Sequence, residues 1–111
     1  MTRAEVNAGD CGHTAVIEVS QLDSDHVRVV VHSECEQLSA MNSDLANLRW
    51  QGKGNQVFRR MTESSIYESA AKHIRHTACP IPAAILKAIE VEVGLALPGK
   101  VLLEMTFSDG R

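Results

Sequence analysis

Aromatic side chains are scarce in this chain: one tryptophan, one tyrosine and two phenylalanines make up 4% of its 111 residues. Aliphatic residues must therefore build the core, and a hydrophobic content of 44% suffices for one domain over residues 1–111. Basic excess is missing as well. A net charge of −3 supplies no general attraction for phosphate backbones or anionic lipid, so neither nucleic acid nor membrane is expected as a partner. No apolar run approaches the length of a membrane span. The opening Met1-Thr-Arg-Ala-Glu5 is too polar for a signal peptide, and the cytoplasm is the expected compartment. Cysteine is sparse too. There are three, an odd number, with no C-x-x-C pair, which excludes a secreted disulfide framework; in a reducing compartment they are thiols, ligands or core residues.

What is present is a series of alternating and helical patterns. Thr2 to Ala8 alternates, with Ala4, Val6 and Ala8 opposite Arg3, Glu5 and Asn7, and reads as a half-buried strand. Gly9-Asp10-Cys11-Gly12 breaks it. Thr14 to Leu22 forms a second strand with Ala15, Ile17 and Val19 inward, and after Asp23-Ser-Asp25 a third follows with Val27, Val29 and Val31 inward. Matching inner faces requires an odd-length connection of about three or five residues, which sets Ile17 beside Val31 and His13 near Cys35.

Ser33-Glu-Cys-Glu36 reads as a capping box opening a helix that carries Leu38, Met41, Leu45 and Leu48 on one face. Arg49 to Thr62 has no period and reads as a loop. Ser65 to Glu68 repeats the capping box ahead of a second helix lined by Ile66, Ala70, His73, Ile74 and Thr77. Cys79 and Ile81 each precede a proline, which disfavours helical dihedrals, so the third helix is expected from Pro82 to a stop at Gly94. Val101, Leu103, Met105 and Phe107 alternate as a final inward-facing strand. The order β-β-β-α-α-α-β predicts an α+β fold in two layers: an antiparallel-rich sheet of about four strands with three helices on one face.

The cysteines are spread through the sequence but not through this fold. Cys11 precedes strand two, Cys35 follows strand three, and antiparallel pairing puts both at one end of the sheet. If the helices alternate in direction, the junction before helix three brings Cys79 to the same end, with His13 and His76 nearby. Unpaired backbone N–H groups at a helix N-terminus favour thiolate, and Cys35 and Cys79 are both expected there. Thiolates are preferred ligands of Zn²⁺ and of iron–sulfur clusters, with a fourth ligand from histidine, water or a second subunit. His76-x-x-Cys79 has ligand-like spacing. The plainer alternative is that all three cysteines are small buried hydrophobes.

Glu92 falls inside the apolar arc of helix three. There it needs a partner, takes a raised pKa suited to binding or acid–base chemistry, or escapes to solvent at the helix end. His73, on the apolar face of helix two, reads as a hydrogen-bonded core histidine. Arg49-Trp50 to Phe58-Arg-Arg60 interleaves basic and aromatic residues, but without a phosphate-loop pattern it reads as a loop anchored by Trp50 and Phe58. Leu86, Val93, Leu95 and Leu97 give more aliphatic surface than one sheet face needs, which makes a homodimer contact plausible.

Cys11-Gly12, Ser33-x-Cys35, Ala78-Cys79-Pro-Ile-Pro82, Lys87-Ala-Ile-Glu-Val-Glu92 and Leu95-Ala-Leu-Pro98 together resemble a small prokaryotic family of uncharacterised proteins. The resemblance implies an α+β domain and the same three cysteines, and no activity; His13 and His76 belong less clearly to the pattern. The residues themselves point first to a thiolate site for zinc or an iron–sulfur cluster on Cys11, Cys35 and Cys79. A homodimeric interaction module with core cysteines and a redox-active thiol protein using Cys35 are the alternatives.

Overall fold

Three strands form where the alternation requires them. In the computed structural model, which describes residues 1–7 and 12–108, β1 (Thr2–Asn7), β2 (Thr14–Gln21) and β3 (His26–Ser33) make an antiparallel meander. Ile17 pairs with Val31, as inward-facing registry demands. The connection between the paired Leu22 and His26 is three residues long and is closed by Asp23, whose carboxylate accepts the N–H groups of Asp25 and His26. Ala15, Ile17 and Val19 of β2 and Val27, Val29 and Val31 of β3 are buried on one face. Thr2, Ala4 and Val6 continue that face, half-buried, on β1.

The helices cover this face. α1 (Glu36–Ala40) packs on β3, α3 (Ile81–Glu92) packs on β1 and β2, and α2 (Ser65–His73) lies against both helices. The chain is thus an α+β two-layer fold with a four-stranded antiparallel sheet ordered β1-β2-β3-β4. Among the described residues no helix is long and apolar enough to cross a membrane.

Several elements differ from expectation. The first helix stops after five residues and continues as a 3-10 turn, Met41–Ser43. Asn42, Ser43 and Asp44 compete with the helix through their side chains. Asn42 leaves it altogether, accepting the Val31 N–H at 2.7 Å and donating to the Val31 carbonyl at 2.9 Å. Leu38, Met41, Leu45 and Leu48 are all buried, as their spacing indicates, but on four different local structures. Leu48 begins the fourth strand, β4 (Leu48–Arg49), which pairs with the start of β3. The observed order is therefore β-β-β-α-β-α-α.

The final strand expected at Val101–Phe107 is absent from the sheet, and those residues are exposed. Alternation describes what a strand could bury. It does not supply a neighbour to pair with, and the fourth place in the sheet is taken by β4.

Neither capping box closes. The Ser33 hydroxyl donates to the Thr14 carbonyl and accepts the N–H of Cys35, which is itself the N-cap; Ser64, not Ser65, caps α2, and its hydroxyl donates to the Val57 carbonyl. Pro80 is the N-cap of α3, so Ile81 is helical despite preceding a proline. Its side chain is wholly buried, and that packing overrides the local bias. At the far end Gly94 has φ +82°, its N–H bonds to the Val91 carbonyl, and the Leu95 N–H bonds to Glu90, the paired bonds of a Schellman stop.

The segment from Trp50 to Thr62 is a loop, as expected, with Val57 buried and Trp50 and Phe58 packed on the core. Arg49 fixes it by donating to the Gln51 carbonyl and to Asp25. Gly52, at φ +78°, sits where a Cβ would lie 3.0 Å from that guanidinium.

Candidate thiol site

The direction of α3 decides which residues meet. Glu92, in its last turn, accepts from the Thr2 hydroxyl at 2.8 Å and from the Gln21 backbone N–H at 3.0 Å, and lies 3.5 Å from the Met1 ammonium. Thr2 begins β1 and Gln21 ends β2, so the C-terminus of α3 is fixed at that end of the sheet. Twelve helical residues span about 18 Å, close to the length of a six-residue strand. The N-terminus of α3 therefore lies at the opposite end, where β1 and β3 finish and β2 begins.

Glu92 is neither solvated nor raised in pKa. Its side chain is only 12% exposed. Burial works against its charge, but the Thr2 hydroxyl, the Gln21 N–H and the Met1 ammonium together outweigh it and hold the carboxyl below its ordinary range. Both oxygens are engaged within the chain, at the end of the sheet opposite Cys35 and Cys79.

Cys35 and Cys79 both flank helix starts at the other end. Cys35 follows β3 and caps α1; Cys79 stands two residues before α3 and donates its N–H to the His76 carbonyl at 2.9 Å. Both are half-buried against the core. A second tie holds their segments together: the Arg75 N–H donates to Gln37 Oε1 at 2.9 Å, joining the loop before Cys79 to the helix just after Cys35. Cys11 lies outside the described residues. The segment holding it leaves β1 at Asn7 and returns to β2 at Thr14, and those two residues are paired at this same end.

His13 lines a shallow cleft of about 360 Å³ with Gly12, Thr14, His32, Ser33 and Glu34, and so stands beside the two residues that precede Cys35. His76 shares a turn with Cys79, its side chain exposed. Among the described residues no three His, Cys, Asp or Glu side chains are grouped so as to hold a metal ion. Sequence reasoning did not find the Gln37–Arg75 tie, because an amide reaching a backbone N–H 38 residues away leaves no periodic trace.

His73 is a hydrogen-bonded, partly buried histidine, with its Nε2 3.1 Å from Asp44. Asp44 also accepts from the Ser69 hydroxyl, which is the main cause of its lowered pKa; burial opposes the shift, and His73 and Lys72 reinforce it. This cluster joins α2 to the turn after α1.

No curated protein and no solved structure matches the chain. A family model does match, over residues 2–105, a span that includes all three cysteines, His13 and His76. The chain belongs to that family, a family of unknown function designated DUF6951.

Proposed function

We propose that Cys11, Cys35 and Cys79 together form a thiolate site for a zinc ion or an iron–sulfur cluster, at the end of the sheet where Cys35 and Cys79 lie. The fourth ligand would be His13, His76, water or a group from a second subunit. The observation that carries this reading is the direction of α3, fixed by the contacts of Glu92, which sends the segment of Cys79 back to the end where β3 delivers Cys35. The Gln37–Arg75 bond supports it by holding the two segments together. Soft thiolate donors suit zinc and iron–sulfur centres, and a reducing cytoplasm would keep these thiols available.

Anaerobic purification with metal and acid-labile sulfide analysis, alongside an absorption spectrum, tests the reading. The expected result is bound zinc, or iron with sulfide and visible charge-transfer bands, lost in large part from Cys35→Ser and Cys79→Ser. A colourless, metal-free and stable wild-type protein whose cysteines alkylate at equal, slow rates would overturn it.

A further inference from the structure

The end of the chain has the pattern of a strand and no place in the sheet. Val101, Leu103 and Met105 alternate with Leu102 and Glu104, and Phe107 continues the period. Leu97 is 90% exposed and Met105 83%, and every residue from Gly94 to Ser108 is exposed. Single exposed leucines are ordinary on a protein surface, but a run of large aliphatic residues at strand spacing is not.

The same molecule offers a complementary edge. β1 has β2 on one side and no strand on the other among the described residues. Such an edge presents a row of backbone donors and acceptors to any strand that reaches it. The helix layer extends to meet a newcomer. One flank of α3, with Ala83, Leu86 and Glu90, faces Tyr67 of α2 across a groove. Helical spacing puts Ala84 and Val91, both half-buried, on the opposite flank, toward the outer side of β1. A strand added there would lay its apolar side under that flank and beside Ala4 and Val6, which already pack on the core.

The path of the chain directs this segment outward. After the Gly94 stop, the N–H groups of Leu95 and Ala96 both bond back to the Glu90 carbonyl, and Pro98-Gly99 follows. The molecule measures 51 × 29 × 25 Å. We infer that residues 101–107 of one copy pair with β1 of a second copy, which returns its own segment to the first, giving a two-fold strand-exchanged dimer. Covering Val101, Leu103 and Met105 hides on the order of 100 Å² of apolar surface apiece. Two exchanged segments and the surfaces beneath them then reach roughly 1,200 Å², the lower end of the range of a stable interface. The dimer does not depend on metal at the cysteine end.

Sedimentation equilibrium on the full chain tests the inference. The wild type should be a dimer, and the double variant Leu103→Glu/Met105→Glu a monomer that keeps the helical far-UV signal and cooperative unfolding of the wild type and loses only the strand signal of the exchanged segments, since neither side chain is part of the core. A wild type that remains monomeric at high micromolar concentration, or a variant that stays dimeric, would overturn it. In a mixture of differently isotope-labelled chains, NMR contacts from Ala4 and Val6 to Leu103 and Met105 should run between chains. Contacts confined to one chain would mean the segment folds onto its own β1 and would equally overturn the exchange.

Discussion

Two side chains tie elements of this fold together through backbone or hydroxyl groups of another element, Glu92 across a long sequence separation and Asn42 across 11 residues. Glu92 binds residues 90 and 71 positions away, tying the end of α3 to the start of β1 and the end of β2. Because its carboxyl is held below the ordinary range, the clamp stabilises the fold fully above the unfolded-state pKa and weakens as pH falls through the lower folded value. Glu92→Gln should therefore cost about 1–2 kcal/mol near neutral pH. The difference from wild type should shrink under acid conditions, as read from urea denaturation at several pH values. Asn42 serves the other side of the sheet by pairing with both backbone groups of Val31, as a one-residue strand would. Asn42→Ala leaves those groups without a protein partner and should cost about 1–3 kcal/mol in the same measurement. The sequence shows that Glu92 lies in an apolar arc and must find a partner, be neutralised or escape. It could not say which, because Thr2 and Gln21 come near only once the helix lies on the sheet.

At the level of elements, legibility followed period. The three long strands, their register and the stop of α3 were readable because alternation, turn residues and glycine chemistry act within a few residues of each other. Gly94→Ala, which forces a side chain into φ +82°, should lower stability by about 1 kcal/mol, measured as a fall in thermal midpoint. Errors gathered where a side chain served a distant backbone instead of its own helix. Ser33 carries the sequence signature of a cap, yet its hydroxyl donates to Thr14 across the sheet, and the cap expected at Ser65 falls at Ser64, whose hydroxyl donates to Val57 seven residues away. The 3-10 break after α1 has the same origin in Asn42, and β4 is too short at two residues to display any period. The segment at Val101 to Met105 is the reverse case: its period is clear, yet it takes no place in the sheet among the described residues.

On the scale of the molecule, the fold has two distinct ends. One is held by Glu92; the other receives Cys35 and Cys79, with the flanks of the Cys11 segment paired there. The direction of α3 was readable, and it brings the segment of Cys79 to the end of the sheet where β3 finishes before Cys35; Cys11 lies outside the described residues. His13 stands beside Ser33 and Glu34, and His76 shares a turn with Cys79; both lie in a loop or a turn, where spacing carries little information. The two proposals separate cleanly: loss of metal from the cysteine variants should leave the dimer intact, and Leu103→Glu/Met105→Glu should leave the metal content intact. The most direct measurement is X-ray absorption at the metal edge of anaerobically purified protein. Three sulfur ligands per metal from the protein at about 2.3 Å for zinc, or a sulfide-bridged iron signature with cysteine ligation, is the predicted result; a first coordination sphere of oxygen and nitrogen alone, or no bound metal, would contradict it.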